Sequence, residues 1–440
     1  MSKQLPRQQH FWRLALLNIL SNLMVPLASL VDTAFLGHLT EISHLAGVAI
    51  ATVLFNYIYW TFGFLRMGTT GLTAQARGRG ESEQVMLILL RNSAIALGMG
   101  IIILLCQQPL RDLGFALLKA EPEVLDAGRD YYNALIFGAP ATLMNFVLLG
   151  WFLGQENGGK VLLLSTLSNG ANIVLDYLLI VRWGQGSMGA GAATALSQYL
   201  TLFLGLALVF RQLAFGNLRF HWGRLVNFSA LKAILVLNRD ILIRTLALVS
   251  TFAVFTNLSA LMGTKILASN TLLLQVVTLA AYFIDGIAFA TESIAGNLQG
   301  QGKENQLIPL LKLAGSASLI AGLGFATVFC LSPERLFGLL TNHNEVIAGV
   351  RTDVWWLFPI LGFGSIAYML DGYFIGLTAG KVLRQSTLVA ALLGFAPSAI
   401  AAWYWQTNYL LWLALTLFMA TRSVTLLLKL KTSRNIAEKI

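Results

Sequence analysis

Long apolar runs recur along the whole length of this 440-residue sequence, separated by short stretches that contain Gly, Pro and charged residues. A membrane-spanning helix needs roughly 20 predominantly apolar residues, and each run is at least about that long. An outer-membrane barrel would show segments of about ten residues with alternating polarity, which this chain lacks. The pattern predicts an all-α polytopic membrane protein with twelve transmembrane helices, at residues 12–36, 45–70, 84–107, 128–153, 160–182, 188–212, 234–262, 266–299, 306–331, 348–376, 381–405 and 408–429.

Composition supports the membrane class and excludes two others. Hydrophobic residues make up 56% of the chain and charged residues 11%, whereas soluble domains contain about 25% charged residues. A soluble globular protein and a disordered chain are therefore excluded. The net charge of +10 would suggest a nucleic-acid partner in a soluble protein. No basic tract with interleaved aromatic residues occurs on a soluble face here, so we predict no binding of nucleic acid.

The positions of the basic residues predict the orientation. Sixteen lysines and arginines fall in the termini and one set of alternate loops, and seven fall in the other set. Cytoplasmic loops carry the excess of basic residues, so we expect a multi-pass protein of the inner membrane with both termini in the cytoplasm. Residues 215–233 mix Phe, Trp and Leu with Arg and Lys, which is typical of an amphipathic surface connector. This connector would separate an N-terminal lobe, 1–214, from a C-terminal lobe, 234–440.

The two halves contain matching motifs. The sequence GWFLG at Gly150–Gly154 matches GYFIG at Gly372–Gly376, 222 residues later, and a Gly-x-Gly motif ending at Gly80 recurs at the same offset. Several matches at one offset indicate an internal duplication with six helices in each repeat. Because six is even, both repeats enter the membrane from the same side, and their pseudo-twofold axis should run along the membrane normal. Two such lobes facing each other across a cleft are typical of alternating-access transporters.

Ionisable side chains inside the apolar runs of the first half suggest a cation site. Each costs about 2.5–3.5 kcal/mol at the bilayer centre and is therefore a functional candidate. Asp32 lies late in the first run, after Pro26, which removes a backbone hydrogen bond and can bend the helix. Asn172 and Asp176 share one face of the fifth run, and Thr194 lies in the sixth. Two carboxylates with amide and hydroxyl oxygens can share a proton or coordinate Na⁺.

The second half has a different set of acidic residues. The positions equivalent to Asp32 and Asp176 are not acidic, whereas Asp285 and Glu292 lie seven residues apart in the eighth run and Asp371 lies in the tenth. These three side chains bind a cationic substrate, relay protons, form buried pairs with arginine, or lie near the lipid headgroups. The sequence leaves these alternatives open.

Other charged motifs have local explanations. Asp240 precedes Arg244 by four residues, which predicts an ion pair within one helix. The segment from Gly154 to Lys160 fits the start of a phosphate-binding loop, but Val161 lacks the required hydroxyl and no strand precedes it. The histidines show no metal-ligand spacing, and no nucleophile motif occurs. We therefore expect no enzyme activity and no cofactor.

Several motifs in order resemble the MATE family of multidrug and toxic-compound exporters, in particular its DinF-like branch: LVDTAFLGHL at Leu30–Leu39, RMGTTGLTAQ at Arg66–Gln75, LNRDI at Leu237–Ile241, IDG at Ile284–Gly286 and LDGYFIG at Leu370–Gly376. The resemblance implies twelve helices in two lobes and antiport of drugs against H⁺ or Na⁺. It also implies that Asp32 is the coupling carboxylate, supported by Asn172, Asp176 and Thr194. The glutamate that another branch carries in the seventh helix is not evident at 234–262.

The sequence thus predicts a secondary-active exporter that antiports lipophilic, cationic organic compounds against H⁺ (or Na⁺) by alternating access. Its expected partners are small-molecule drugs or toxic organic cations and membrane lipids, and it is expected to be a monomer. The alternative is a flippase for lipid-linked precursors from a related superfamily. Such a flippase needs a strongly basic central cavity, whereas the ionisable residues within the apolar runs of this chain are mostly acidic.

Overall fold

The computed structural model describes residues 5–39, 41–116, 120–214, 227–341 and 343–437. Every regular element in these ranges is helical, and α-helices are joined by short 3₁₀ or π segments. The α-helices are α1 Leu5–Gly37, α2 Ile42–Thr61, α3 Phe64–Gly78, α4 Ser82–Leu105, α5 Gln107–Ala116, α6 Pro122–Leu135, α7 Ala139–Gly154, α8 Gly158–Asp176, α9 Gly186–Ala214, α10 Phe228–Leu261, α11 Thr264–Gly300, α12 Leu307–Leu331, α13 Pro333–Gly338, α14 Asn344–Asp353, α15 Leu357–Gly376, α16 Gly380–Val389, α17 Ala396–Trp405 and α18 Asn408–Ala437.

Twelve stretches of these described residues are long and apolar enough to cross a membrane, which confirms the predicted class. The first lies at Gln8–Gly37 and the last at Asn408–Leu430, close to the predicted 12–36 and 408–429. The second extends to Gly78, beyond its predicted end at residue 70, and a break between α2 and α3 divides it. Of the predicted connector, residues 215–226 lie outside the described residues.

The chain folds into two compact units. The N-terminal unit comprises Leu20–Leu235, and the C-terminal unit comprises Met1–Ile19 with Val236–Ile440. In the N-terminal unit, α3 and α4 pack against α7, and α8 packs against α9. In the C-terminal unit, α11 and α12 pack against α15, which also packs against α18. Each unit therefore has a central helix, α7 or α15, with neighbours on several sides.

The backbone repeats at the same offset as the sequence motifs. Left-handed conformations occur in pairs 222 residues apart, at Gly80 (φ 76°) and Gly302 (φ 68°), Glu156 (φ 57°) and Thr378 (φ 55°), and Gly184 (φ 65°) and Gln406 (φ 50°). Non-glycine residues adopt positive φ only rarely. The matching of such conformations in loops, where sequence varies most, supports duplication of the whole six-helix unit.

The repeated glycine motifs serve the same packing purpose in both units. A Cβ atom added to any of these glycines would collide with a backbone carbonyl of the neighbouring helix: Arg66 and Thr70 of α3 for Gly150 and Gly154, and Ala288 and Glu292 of α11 for Gly372 and Gly376. Small residues four apart allow two membrane helices to approach closely. The motifs therefore bring α7 against α3, and α15 against α11, backbone to backbone.

Candidate functional site

The first-half carboxylates meet inside the N-terminal unit. Asp32 lies near the end of α1, and Asp176 is the last residue of α8. Their side chains approach each other carboxyl to carboxyl, and Asp176 is only 1% exposed. A π-helical segment, Tyr177–Arg182, follows Asp176 directly, and such segments are frequent at functional sites.

The carboxyl pair has little other support. Apart from the contact between the two carboxyls, neither oxygen of Asp176 nor Oδ1 of Asp32 receives a hydrogen bond from the described residues. Two adjacent carboxylates repel each other, and both cannot stay ionised in a buried site without compensation. This arrangement can therefore take up one positive charge, either as a shared proton or as a bound cation.

The two neutral residues of the predicted site, Asn172 and Thr194, are hydrogen-bonded to each other. The Nδ2 of Asn172 donates a hydrogen bond to Oγ1 of Thr194 at 3.3 Å, and Thr194 donates to the carbonyl of Ala190 at 3.1 Å. Asn172 lies one turn before Asp176 on the same face of α8. Among the described residues, no group of three or more His, Cys, Asp or Glu side chains is arranged to hold a metal. A cation at this site would therefore use two carboxylates and neutral oxygens.

Tyr131 of α6 is a member of this cluster that the sequence interpretation missed. It is buried and lies close to Thr52, to Thr194 and to both aspartates. Nothing in the local sequence distinguishes Tyr131 from an ordinary interfacial aromatic residue. Its position becomes visible only because α6 packs against both α2 and α9.

Pro26 lies inside α1, which continues as a helix from Leu5 to Gly37. Because proline has no N–H, it cannot donate the usual hydrogen bond to the carbonyl of Asn22. Nearby, the hydroxyl of Ser21 is hydrogen-bonded to that of Ser165 on α8. Pro26 thus separates a part of α1 that is tied to α8 from the part that carries Asp32.

In the C-terminal unit, Asp371 belongs to a buried ion-pair cluster. Its Oδ2 accepts hydrogen bonds from Arg244 of α10 and Arg422 of α18, and all three side chains are at most 6% exposed. Of the alternatives that the sequence left open for Asp371, the structure contains the buried pair with arginine. The other two acidic residues both lie on α11, where Glu292 is fully buried and Asp285 is half-buried.

The predicted ion pair between Asp240 and Arg244 is wrong. Asp240 pairs with Arg239 at 3.1 Å and with Arg384 of α16 at 2.7 Å, and Arg244 pairs with Asp371. A pair one turn apart on a helix contributes only about 0.2–0.5 kcal/mol. A guanidinium inside the protein instead requires a buried counter-charge, and Asp371 provides one. An arginine inside an apolar run is itself a signal that such a partner exists.

Comparisons with known proteins agree with this architecture. The MatE family model matches residues 18–178 and again residues 241–403, once in each half of the chain. The DNA damage-inducible protein F of Escherichia coli is 36% identical over 94% of this chain and 90% of its own length. The "Probable multidrug resistance protein NorM" of Thermotoga maritima is 24% identical over 84% of this chain and 79% of its own length.

A solved structure shares the fold. The MOP superfamily transporter from Pyrococcus furiosus matches with a TM-score of 0.89, covering 98% of this chain and 97% of that one, at 19% identity. At this identity the likeness concerns the fold alone. The family model covers most of the chain and the Escherichia coli relative aligns over nearly all of it, and on these grounds the chain belongs to the MatE family of membrane transporters.

Proposed function

We propose that this protein is a secondary-active exporter that antiports lipophilic organic cations against H⁺, with Asp32 and Asp176 as the coupling pair. The contact between these two carboxyls carries the proposal, because no described residue donates a hydrogen bond to either oxygen of Asp176 or to Oδ1 of Asp32. Such a pair changes its protonation by one proton per cycle. The words "multidrug resistance" in the names of relatives support a range of small-molecule substrates.

Coupling follows from the cost of the unprotonated pair. With one shared proton, Asp32 and Asp176 can remain in contact. Without it, their repulsion favours a different position of α1 relative to α8. Substrate would favour one of these arrangements and the proton the other, and the coupling cannot exceed the difference in affinity between the two states. Asn172, Thr194 and Tyr131 would hold the pair in place.

The ion pairs of Asp371 in the C-terminal unit support the proposal that coupling takes place in the N-terminal unit alone. Two buried arginines already neutralise Asp371, so an additional cation would gain little there. Arg244 and Arg422 share this one carboxylate, so the cluster keeps a net charge of +1, which is less than the strongly basic cavity that a flippase needs. We further propose that the exporter acts as a monomer in the inner membrane with both termini in the cytoplasm.

Transport by purified protein in liposomes tests the proposal. Uptake of the fluorescent cation ethidium would be followed under a proton gradient alone, a sodium gradient alone, and neither. We expect accumulation under the proton gradient only. Accumulation under sodium alone would assign Na⁺ as the coupling ion. Movement of lipid headgroups without movement of ethidium would instead indicate a flippase.

A further inference from the structure

A cavity of about 620 Å³ lies within the C-terminal unit, far along the chain from the residues of the carboxyl pair. It forms where α14 ends and α18 begins, with a 3₁₀ turn, Val354–Trp356, between α14 and α15. The side chains that matter for its chemistry are Thr352, Asp353, Trp355, Trp356, Asn408 and Tyr409. The cavity thus combines one carboxylate with three large aromatic rings.

The carboxylate of Asp353 is not neutralised by the described residues. It accepts a hydrogen bond from Nδ2 of Asn408 at 2.7 Å and forms no ion pair. The neighbouring basic residues have other partners: Lys265 pairs with Glu345 at 2.5 Å, and Arg351 pairs with Glu334 at 3.2 Å. The cavity therefore contains one carboxyl group that has no basic partner among the described residues.

A hydrogen-bond network fixes the amide beside Asp353. Asn270 donates to Oδ1 of Asn408 at 2.7 Å and to the hydroxyl of Ser259 at 2.8 Å. The indole N–H of Trp412 donates to Oδ1 of Asn270 at 3.0 Å. Because these bonds orient Asn408 with its Nδ2 toward Asp353, the carboxylate is positioned before any ligand arrives. Preorganisation of this kind reduces the cost of binding.

The aromatic rings form the walls. Trp356 and Tyr409 meet edge to face with their centroids 5.0 Å apart, and Trp355 and Tyr409 are 63% and 61% exposed. Tryptophan and tyrosine are common at membrane interfaces, and that role needs no carboxylate between them. Aromatic faces around an anionic group attract alkylammonium ions through cation–π and Coulomb interactions.

We propose that this cavity is a binding site for an organic ammonium group, with Asp353 as its counter-ion and Trp356 and Tyr409 as its walls. The group can belong to the headgroup of an aminophospholipid or to a soluble organic cation. The site is separate from the Asp32–Asp176 pair, and the proposal does not depend on how transport is coupled.

Protection of a cysteine at the cavity measures binding at this site alone. Thr352 is exposed and lines the cavity, so it is suitable for replacement by cysteine. The parent chain for Thr352→Cys carries Cys106→Ser and Cys330→Ala, so that the new cysteine alone reacts. Its alkylation by a maleimide would be timed in phosphatidylglycerol nanodiscs at increasing phenyltrimethylammonium. We expect saturable protection. For each variant, the alkylation rate is divided by the rate of the same variant without ligand. Asp353→Asn or Trp356→Leu should raise the phenyltrimethylammonium concentration that halves this rate, the half-protecting concentration, about tenfold.

Matched controls use the same end of the unit. Lys265→Gln combined with Glu345→Gln removes an exposed ion pair without changing the net charge, and Trp405→Leu removes an exposed aromatic side chain outside the cavity. Neither should change protection. A neutral ligand of the same shape, tert-butylbenzene, should not protect. Absence of protection, equal protection by the neutral ligand, or an equal loss in the Lys265→Gln/Glu345→Gln double variant would overturn the proposal.

A second arm distinguishes the two sources of the ammonium group. Phosphatidylethanolamine would be added to the nanodiscs. If the lipid headgroup occupies the cavity, the half-protecting concentration of phenyltrimethylammonium rises in the parent chain but not in Asp353→Asn. If the half-protecting concentration stays constant in the parent chain, the site binds the soluble cation rather than the lipid headgroup.

Discussion

Buried aspartates in the two units are compensated in different ways. Asp32 and Asp176 contact each other without a basic partner among the described residues, whereas Asp371 accepts from both Arg244 and Arg422. A buried carboxyl pair is stabilised by one shared proton, and loss of that proton leaves two carboxylates that repel each other. A carboxylate between two guanidiniums keeps its charge. At the residue scale, the first arrangement suits coupling and the second suits a fixed structural link.

Asp32→Asn tests the coupling role directly. The amide keeps the shape of the protonated carboxyl and can donate to Asp176, so the site stays in its protonated form. Allosteric couplings of about 1–3 kcal/mol correspond to roughly 5- to 150-fold, and we expect proton-driven ethidium accumulation in liposomes to fall at least about tenfold. Folding and substrate binding should persist. Asp176→Asn should behave alike, and the double variant should be little worse than either.

The control for this prediction is Asp112→Asn. Asp112 lies in the same unit, is exposed and pairs only with the adjacent Arg111 among the described residues. Its substitution should leave accumulation unchanged. Export at the parent rate by Asp32→Asn would contradict the proposed mechanism.

Asp371→Asn should destabilise the protein rather than only its transport. Removing the carboxylate leaves Arg244 and Arg422 buried without their counter-charge, and breaking a buried pair in this way costs about 3–5 kcal/mol. Thermal unfolding in detergent, followed by size-exclusion chromatography after heating, measures the loss. Glu334→Gln is the comparison, because Glu334 and its partner Arg351 are 66% and 72% exposed and both can turn to water. It should lose less than about 1 kcal/mol, and equal losses would refute the assignment of Asp371 to a structural cluster.

At the scale of helices, the hydrophobic pattern and the composition were sufficient to predict the membrane spans, but they did not predict which helices pack against each other. Each apolar run became a membrane-crossing stretch because length and hydropathy are local properties. The pairing of Asp371 with Arg422, 51 residues away, depends on α15 packing against α18. The contact of Tyr131 with Thr194 depends likewise on packing of α6 with α9. Only identical spacing in two halves gave the sequence a long-range signal.

Pro26→Ala is a test at this scale. Proline inside a helix costs about 3 kcal/mol relative to alanine, so the substitution should leave expression and thermal stability equal or higher. If transport requires α1 to bend at this point, proton-driven accumulation of ethidium should fall severalfold. Pro122 lies in the first turn of α6, where no helical hydrogen bond is missing, so Pro122→Ala should retain activity. Full activity in Pro26→Ala would make the proline a passive packing feature.

At the scale of the whole molecule, duplication preserved the backbone while the chemistry diverged. The glycine contacts and left-handed turns recur 222 residues apart. The residue equivalent to Asp32 at this offset is Val254, and the residue equivalent to Thr70 is Glu292. Packing requires the same small residues in both copies, whereas the coupling that we propose needs a cation site in only one copy. A duplicated transporter can therefore specialise one unit without changing its fold.

The duplication also predicts membrane orientation. Gly159 and Lys381 are exposed equivalents next to the repeated glycine motifs, and Trp183 and Trp405 are exposed equivalents at the other ends of the same spans. Each would be replaced singly by cysteine in a chain with Cys106→Ser and Cys330→Ala. Because each repeat contains an even number of helices, both members of a pair should lie on the same side of the membrane. In intact cells an impermeant maleimide should label positions 183 and 405, and positions 159 and 381 only after the inner membrane is opened. Labelling of one member of a pair without the other would refute the parallel repeat, and labelling of 159 and 381 from outside would reverse the proposed orientation.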